Sequence, residues 1–294
     1  MVVALLVVTA CAGDEPAPAA REPGVVVVAS FDFAESRLLA EMFAQALEDD
    51  GVVVRRELGL GQRELVLPAL RAGLVDVVPE YAGSALDASD PGAEVDLSDA
   101  RLVVDRLAEV VEPWGISVLD PSPASNQNVI AVPSRLAREH RLSAISDLRA
   151  LAPRLVVGGP PECPDRPRCL LGLSERYGVA FESFVPLAGA ELVHRALEDG
   201  VIDVGVLFST DAALAGDDLV VLEDDARLQP PDNVVAVVRT EALADPRVGA
   251  ALQEVSDHLT TTNLRFVNWR VADPGADAAE EARGWLLRRG LIAR

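Results

Sequence analysis

Seven Phe, three Trp and two Tyr are the only aromatic side chains in 294 residues. A ring that a hydrophobic core does not need therefore stands out. Tyr81 and Phe208 are such rings. Each lies eight residues beyond a glycine, Gly73 or Gly200, in a matching stretch: 69–77 (ALRAGLVDV) and 196–204 (ALEDGVIDV) share the form A-L-x-x-G-x-[VI]-D-V. Two rings at equivalent places point to one ligand touched by both, with ordinary rim or core packing as the alternative. Groups that carry catalysis are not arranged for it. His140, His194 and His258 lie on helix-like segments without partner motifs, and G-x-S-x-G, H-E-x-x-H, P-loop and G-x-G-x-x-G patterns are missing. Gly59-Leu60-Gly61 before a helix could meet an anion, and with 47 carboxylates a glycosidase-like dyad stays open. Binding without catalysis, cofactor or metal is the expectation.

The cysteines bear on compartment. Cys163 and Cys169 sit in a Pro-rich loop (PPECPDRPRCLLG); in an oxidising compartment such a pair reads as a local disulfide worth about 2 kcal/mol. Their spacing is too wide for a zinc hairpin. Cys11 ends an apolar run of ten, MVVALLVVTA, too short to span a bilayer and suited to an export signal. Val8-Thr9-Ala10-Cys11 is similar to a bacterial lipobox, so Cys11 is expected to carry a lipid. Basic residues before the run are missing, which leaves a clipped ordinary signal as the alternative. A Pro/Ala-rich tether follows to residue 23. All 26 basic residues are Arg, and the formal net charge is −21. That surface disfavours nucleic acid and anionic lipid as partners.

The rings must be positioned by the elements before them. Val25–Ala29 is a continuous apolar run, as in a strand buried on both faces. From Glu35 the period becomes helical, with Leu38, Leu39, Met42, Phe43, Ala46 and Leu47 on one face. Strands over 52–58 and 74–78 flank a helix over 63–72. The order repeats from Arg154: strand 155–158, helix 170–177, strand 181–187, helix 190–199, strand 201–208. Such an order specifies right-handed βαβ crossovers. The predicted fold is α/β with two lobes, each a parallel-type sheet flanked by helices. Ligands of open parallel sheets bind beyond the carboxyl ends of strands, which is where Tyr81 and Phe208 fall. A helix over 99–111 with Ser98 as N-cap, strands over 126–133 and 232–239 as two crossings that can hinge, and helices over 246–261 and 277–289 complete the chain. Expected domains are a signal and tether (1–23), lobe I (24–124 with 233–294) and an inserted lobe II (125–232).

From residue 25 onward the chain resembles the substrate-binding proteins of glycine betaine, choline and carnitine ABC importers. The residues that carry this are Ser30-Phe31-Asp32-Phe33-Ala34-Glu35-Ser36, like S-x-x-F-x-E, and 79–86 (PEYAGSAL), like P-E-Y-x-G-[ST]-A-L. In the second lobe they are 145–148 (ISDL), 159–162 (GPPE), Ser209-Thr210-Asp211 and 222–225 (LEDD). The resemblance implies a two-lobed, type II periplasmic-binding-protein-like fold with a solute in the inter-lobe cleft. Its partners would be a membrane permease and ATPase, and it would be an extracytoplasmic, lipid-anchored monomer. A ligand-sensing lipoprotein of the same fold is the alternative. The family holds a quaternary ammonium group in a cage of Tyr rings by cation–π attraction, about 2 kcal/mol or more per desolvated ring face. On that pattern Tyr81 matches a cage ring, Phe208 replaces a second, Asn128 stands at a third, and Asp232 or Asn233 at the fourth. Ser30, Phe33 and Thr210 fall in the matching segments and join the expected ligand set, although Phe33, like Phe31 and Trp114, reads more readily as core. A cage so altered leaves a betaine, choline, another amine, or a polar or aromatic solute open.

Overall fold

The computed structural model describes residues 24–92, 99–273 and 275–293. Cys11, its tether and Ser98 lie outside the described residues. In chain order the elements are β1 (Val25–Ala29), α1 (Ala34–Asp49), β2 (Val53–Glu57), α2 (Arg63–Arg71), β3 (Val77–Tyr81), α3 (Ala82–Ser89), α4 (Ala100–Val111), β4 (Ile116–Val118), β5 (Asn128–Pro133) and α5 (Ser134–His140). They continue with β6 (Val156–Gly159), α6 (Leu170–Gly172), β7 (Ser183–Pro186), α7 (Ala190–Glu198), β8 (Val204–Phe208), β9 (Leu219–Val221), β10 (Val234–Arg239), α8 (Pro246–His258), α9 (Thr261–Val271) and α10 (Ala278–Arg289).

Two five-stranded sheets result, in the orders β2-β1-β3-β10-β4 and β7-β6-β8-β5-β9. Position by position they are the same sheet. Three parallel strands come first, then one strand antiparallel to both its neighbours, then a short edge. The antiparallel strand of each sheet arrives from the other: β5 follows β4, and β10 follows β9. Strands β5 and β10, expected to be the crossings, are thus built into the sheets. The crossings are the segments just before them. Those segments pair with each other through the Ser125–Asn233 bridge, with Asn126 N–H donating to the Asp232 carbonyl at 2.9 Å and Val234 N–H to the Ala124 carbonyl at 2.9 Å.

The sequence repeat has a structural meaning in both of its fixed positions. Gly73 and Gly200 adopt φ of +71° and +68°. At each, the glycine N–H reaches back to Leu70 or Leu197 and the next N–H to Ala69 or Ala196, a helix ending that favours a residue without Cβ. The repeat aspartates then join the sheet. Carboxylate Oδ2 of Asp76 accepts the Val27 N–H at 2.9 Å, and that of Asp203 the Val156 N–H at 2.9 Å. These turns delay β3 and β8 to Val77 and Val204, three residues later than their apolar runs predict.

The core of the first sheet forms around α1, whose Leu38, Leu39, Met42, Phe43 and Leu47 are fully buried against the sheet, α8 and α10. In the second half, Leu148, Val157, Leu173 and Tyr177 close the core over β6. Cys163 and Cys169, both buried, are joined in a disulfide with Cα atoms 5.3 Å apart. The helix that follows is a single α-turn passing into a π-helical Leu173–Tyr177. Asp99, whose side chain accepts the Arg101 N–H, caps α4. The single helix predicted over 246–261 stops at His258, and α9 begins at Thr261. Thr260 and Asn263 form a reciprocal capping box there, and Leu264 and Val267 turn inward. No helix of the described residues is long and apolar enough to cross a membrane.

Candidate functional site

A cavity of about 1280 Å³ lies between the two sheets, at the carboxyl ends of β3 and β8. Tyr81 and Phe208 are the last residues of those strands, and both line it. Of the other predicted ligand residues, Phe33, Asn128, Thr210 and Asp232 line the same cavity, whereas Ser30 and Asn233 do not. The register explains one pairing: Asn128 opposes Phe208 across β5 and β8. Both residues set aside have structural partners. Ser30 is fully buried, its hydroxyl accepting the Gly59 N–H at 2.8 Å and donating to the Phe31 carbonyl at 2.8 Å. Asn233 donates to the Ser122 carbonyl at 2.8 Å.

On the side of the first sheet the rings stack. Phe31 and Phe33 have centroids 5.7 Å apart, and Phe33 and Tyr81 6.1 Å. Phe31 is buried behind the row under the Arg63 guanidinium, while Phe33 is 40% exposed and faces the cavity. Position follows from local structure: Phe33 is the N-cap residue of α1, and Ser36 holds the Phe31 N–H at 3.0 Å. Glu80 takes a two-pronged ion pair from Arg63 at 2.7 and 2.9 Å and accepts the Tyr81 N–H at 2.8 Å. Trp114 lies under Arg71 and does not line the cavity.

Two further rings reach the cavity from an element absent from the prediction. Phe266 and Trp269 of α9 are 49% and 55% exposed, have centroids 5.9 Å apart, and both line it. Asn268 of the same helix donates to a carboxylate oxygen of Glu35 and, at 3.0 Å, to the Thr210 carbonyl. Glu35 in turn accepts from the Tyr81 hydroxyl at 2.6 Å and from Asn126 at 2.8 Å. One buried carboxyl group therefore ties together α1, the end of β3, a crossing segment and α9. Burial, reinforced by the Glu35 carboxyl, raises the Tyr81 phenol well above its ordinary value, so Tyr81 stays a neutral donor. The signals for α9 were the T-x-x-N cap at Thr260 and the spacing of Leu264, Val267 and Val271.

Two aspartates border the same space. Asp232 accepts both the N–H and the hydroxyl of Ser84, at 2.9 and 2.6 Å; burial pushes its carboxyl up to about 6. Asp211 accepts the Phe208 N–H at 2.7 Å, and burial, aided by Glu35, pushes it likewise to about 6. His194, which carries no partner motif in the sequence, lines the cavity and lies 2.8 Å from the Asp218 carboxylate. The halves also touch at the rim, where Arg168 of the disulfide loop pairs with Asp87 of α3 at 2.8 Å. Arg265 of α9 spans them too, bonding the Ser209 and Leu214 carbonyls. The site offers π faces, carboxylates and amide groups with one wall from each sheet, which is equipment for holding a small polar or cationic solute.

Comparison with known proteins gives the same direction. Residues 24–288 match the family described as the substrate binding domain of ABC-type glycine betaine transport systems. The chain belongs to this family. A glycine-betaine-binding protein of Pseudomonas aeruginosa is 29% identical over 250 residues, 81% of this chain and 79% of that one. The glycine betaine-binding protein YehZ of Escherichia coli is 25% identical over 273 residues, 87% and 88% of the two chains. Among solved structures, a glycine betaine/carnitine/choline ABC transporter protein superposes with a TM-score of 0.83 at 22% identity, over 91% of this chain and 100% of that one. The two-lobed, type II binding-protein architecture of the family is the one seen here.

Proposed function

We propose that this family member captures a small quaternary amine, such as glycine betaine or choline, outside the cytoplasm and delivers it to an ABC permease and ATPase. The observation that carries the reading is the concentration of rings. Phe33, Tyr81, Phe208, Phe266 and Trp269 all line one cavity, in a chain whose aromatics amount to 4% of its residues. A quaternary ammonium ion cannot donate hydrogen bonds, so desolvated ring faces are the partners that recognise it. The site is read as one that binds without catalysis. Tyr81, Phe208, Phe33, Asn128, Thr210 and Asp232 are the proposed ligand set, with lobe I comprising 24–124 and 233–294 and lobe II 125–232. A ligand bridging the lobes favours a closed form that the permease recognises. A lipid on Cys11 would hold the monomer at the outer face of the membrane.

A thermal-shift series on the purified protein with glycine betaine, choline, carnitine, other amines, sugars and aromatic compounds tests this. At 100 times its dissociation constant a true ligand stabilises the fold by about 2.7 kcal/mol, a rise of several degrees at most for a chain of this size. Trimethylammonium compounds are expected to give it. A shift from sugars alone would replace the cargo, and no shift from any of them would point away from uptake.

A further inference from the structure

We infer that the cavity selects small organic cations that carry no carboxylate, so that of two ligands sharing a trimethylammonium head the net cation is held more tightly than the zwitterion. This rests on the reading of the chain as a quaternary-amine binder and specifies the ligand within that class. The first ground is the charge of the wall. Glu35, Glu191, Asp211, Asp218 and Asp232 line the cavity, and among the described lining residues there is no arginine. Lysine does not occur in the chain. His194, the one base among the described lining residues, is engaged by Asp218. Arg63 and Arg168, which flank the space, are paired with Glu80 and Asp87, and Arg265 spends its donors on the Ser209 and Leu214 carbonyls while its charge acts on Asp211. A ligand carboxylate would enter a wall of five acids, at low dielectric and with no guanidinium among the described lining residues to bond it.

The second ground is which donors are already taken. A carboxylate without a guanidinium partner can be held by backbone N–H groups at the ends of strands and the starts of helices. Here one such donor in each lobe serves an acid of the protein itself. Tyr81 and Phe208 end β3 and β8, and Ser84 and Asp211 each stand three residues on. In the first lobe Asp232 takes the Ser84 N–H and hydroxyl. In the second, Asp211 takes the Phe208 N–H. Both aspartates are held beside the rings, so each protein carboxylate stands where the acid end of a zwitterion would seek its donors. The same carboxylates are ready counter-ions for a cation.

Choline and glycine betaine make the test, because they share a trimethylammonium head and differ mainly in hydroxymethyl against carboxylate. Titration calorimetry on the protein at pH 7.5 is expected to give choline a dissociation constant at least tenfold lower. The neutral choline isostere 3,3-dimethylbutan-1-ol should bind at least tenfold more weakly than choline. Betaine binding as tightly as choline would overturn the inference while leaving the quaternary-amine reading intact. If neither trimethylammonium compound bound, that reading would fall and the inference with it. A double variant, Asp211→Asn with Asp232→Asn, keeps size and one acceptor oxygen on each side chain and should narrow the choline-to-betaine ratio to within about threefold. An unchanged ratio in the folded variant, checked by circular dichroism, would remove these two carboxylates as its cause.

Discussion

Tyr81 does two things with one side chain: its ring faces the cavity and its hydroxyl donates to Glu35 at 2.6 Å. Substitutions separate them. Tyr81→Ala removes the π face and is expected to weaken binding of the quaternary amine at least tenfold, since a well-placed, desolvated ring is worth about 2 kcal/mol or more and tenfold corresponds to about 1.4 kcal/mol. Tyr81→Phe keeps the ring and takes one donor from a buried carboxyl group. Its affinity should stay within about threefold while stability drops by about 1–3 kcal/mol. Calorimetry and chemical denaturation on the two variants read both quantities. Equal affinities in the two would mean that the ring does not meet the ligand. At this scale the sequence showed Tyr81 and Phe208, because each follows a repeat glycine at a fixed distance. It could not show Glu35 as the knot of the site, because the partners of Glu35 come from positions 81, 126 and 268 and only packing assembles them.

The turns that deliver each ring-bearing strand are equivalent elements with unequal surroundings. Gly73 and Gly200 both close a helix at positive φ, so alanine at either should cost about 1 kcal/mol for the left-handed backbone alone. A Cβ at Gly200 meets nothing within 4 Å, whereas one at Gly73 would stand 1.8 Å from a guanidinium nitrogen of Arg239. Arg239 would have to swing away. Gly73→Ala is therefore expected to be the more destabilising of the pair in urea denaturation; equal costs would mean that Arg239 moves freely. The same helix endings explain a boundary that pattern alone misplaced. Leu74 and Val201 look like strand residues, yet their N–H groups complete the helix C-terminus, so pairing begins only after Asp76 and Asp203. Helix α9 was missed for a related reason. It follows α8 after a break of two residues, and apolar periodicity runs through so short a break.

At the scale of the whole molecule the two halves are joined by paired crossings and by rim contacts that a closing motion must respect. Arg168 reaches Asp87 from a loop tied by the Cys163–Cys169 disulfide. Both side chains are substantially exposed, so the pair contributes at most about 1 kcal/mol to folding, and its larger effect is expected on the balance of open and closed forms. Asp87→Asn should leave the melting temperature within about two degrees while raising the radius of gyration of the ligand-free protein in X-ray scattering. No change in radius would mean that the pair does not hold the halves together. Saturating ligand should restore the compact form in wild type and variant alike, because a ligand that touches both halves supplies what the lost ion pair withdrew.

The architecture was decided by the sequence because it depends on local and repeated features. Apolar runs of strand length alternate with helical faces, glycines sit where helices must end, and one five-element order occurs twice. Those features dictate two similar α/β sheets whose carboxyl strand ends carry Tyr81 and Phe208. Tertiary structure alone decided which other groups join those rings. Phe266 and Trp269 have the spacing of any amphipathic helix, and nothing in their period distinguishes a cavity wall from a core. Asp211 and Asp232 are two of 47 acids until packing sets them on the Phe208 and Ser84 N–H groups. Ser30 and Asn233 lie in ligand-like motifs, yet their side chains are turned to backbone groups by the loops that hold them. Sequence period reports which face of an element is apolar; what stands opposite that face depends on contacts between residues far apart in the chain, and those exist only once it has folded.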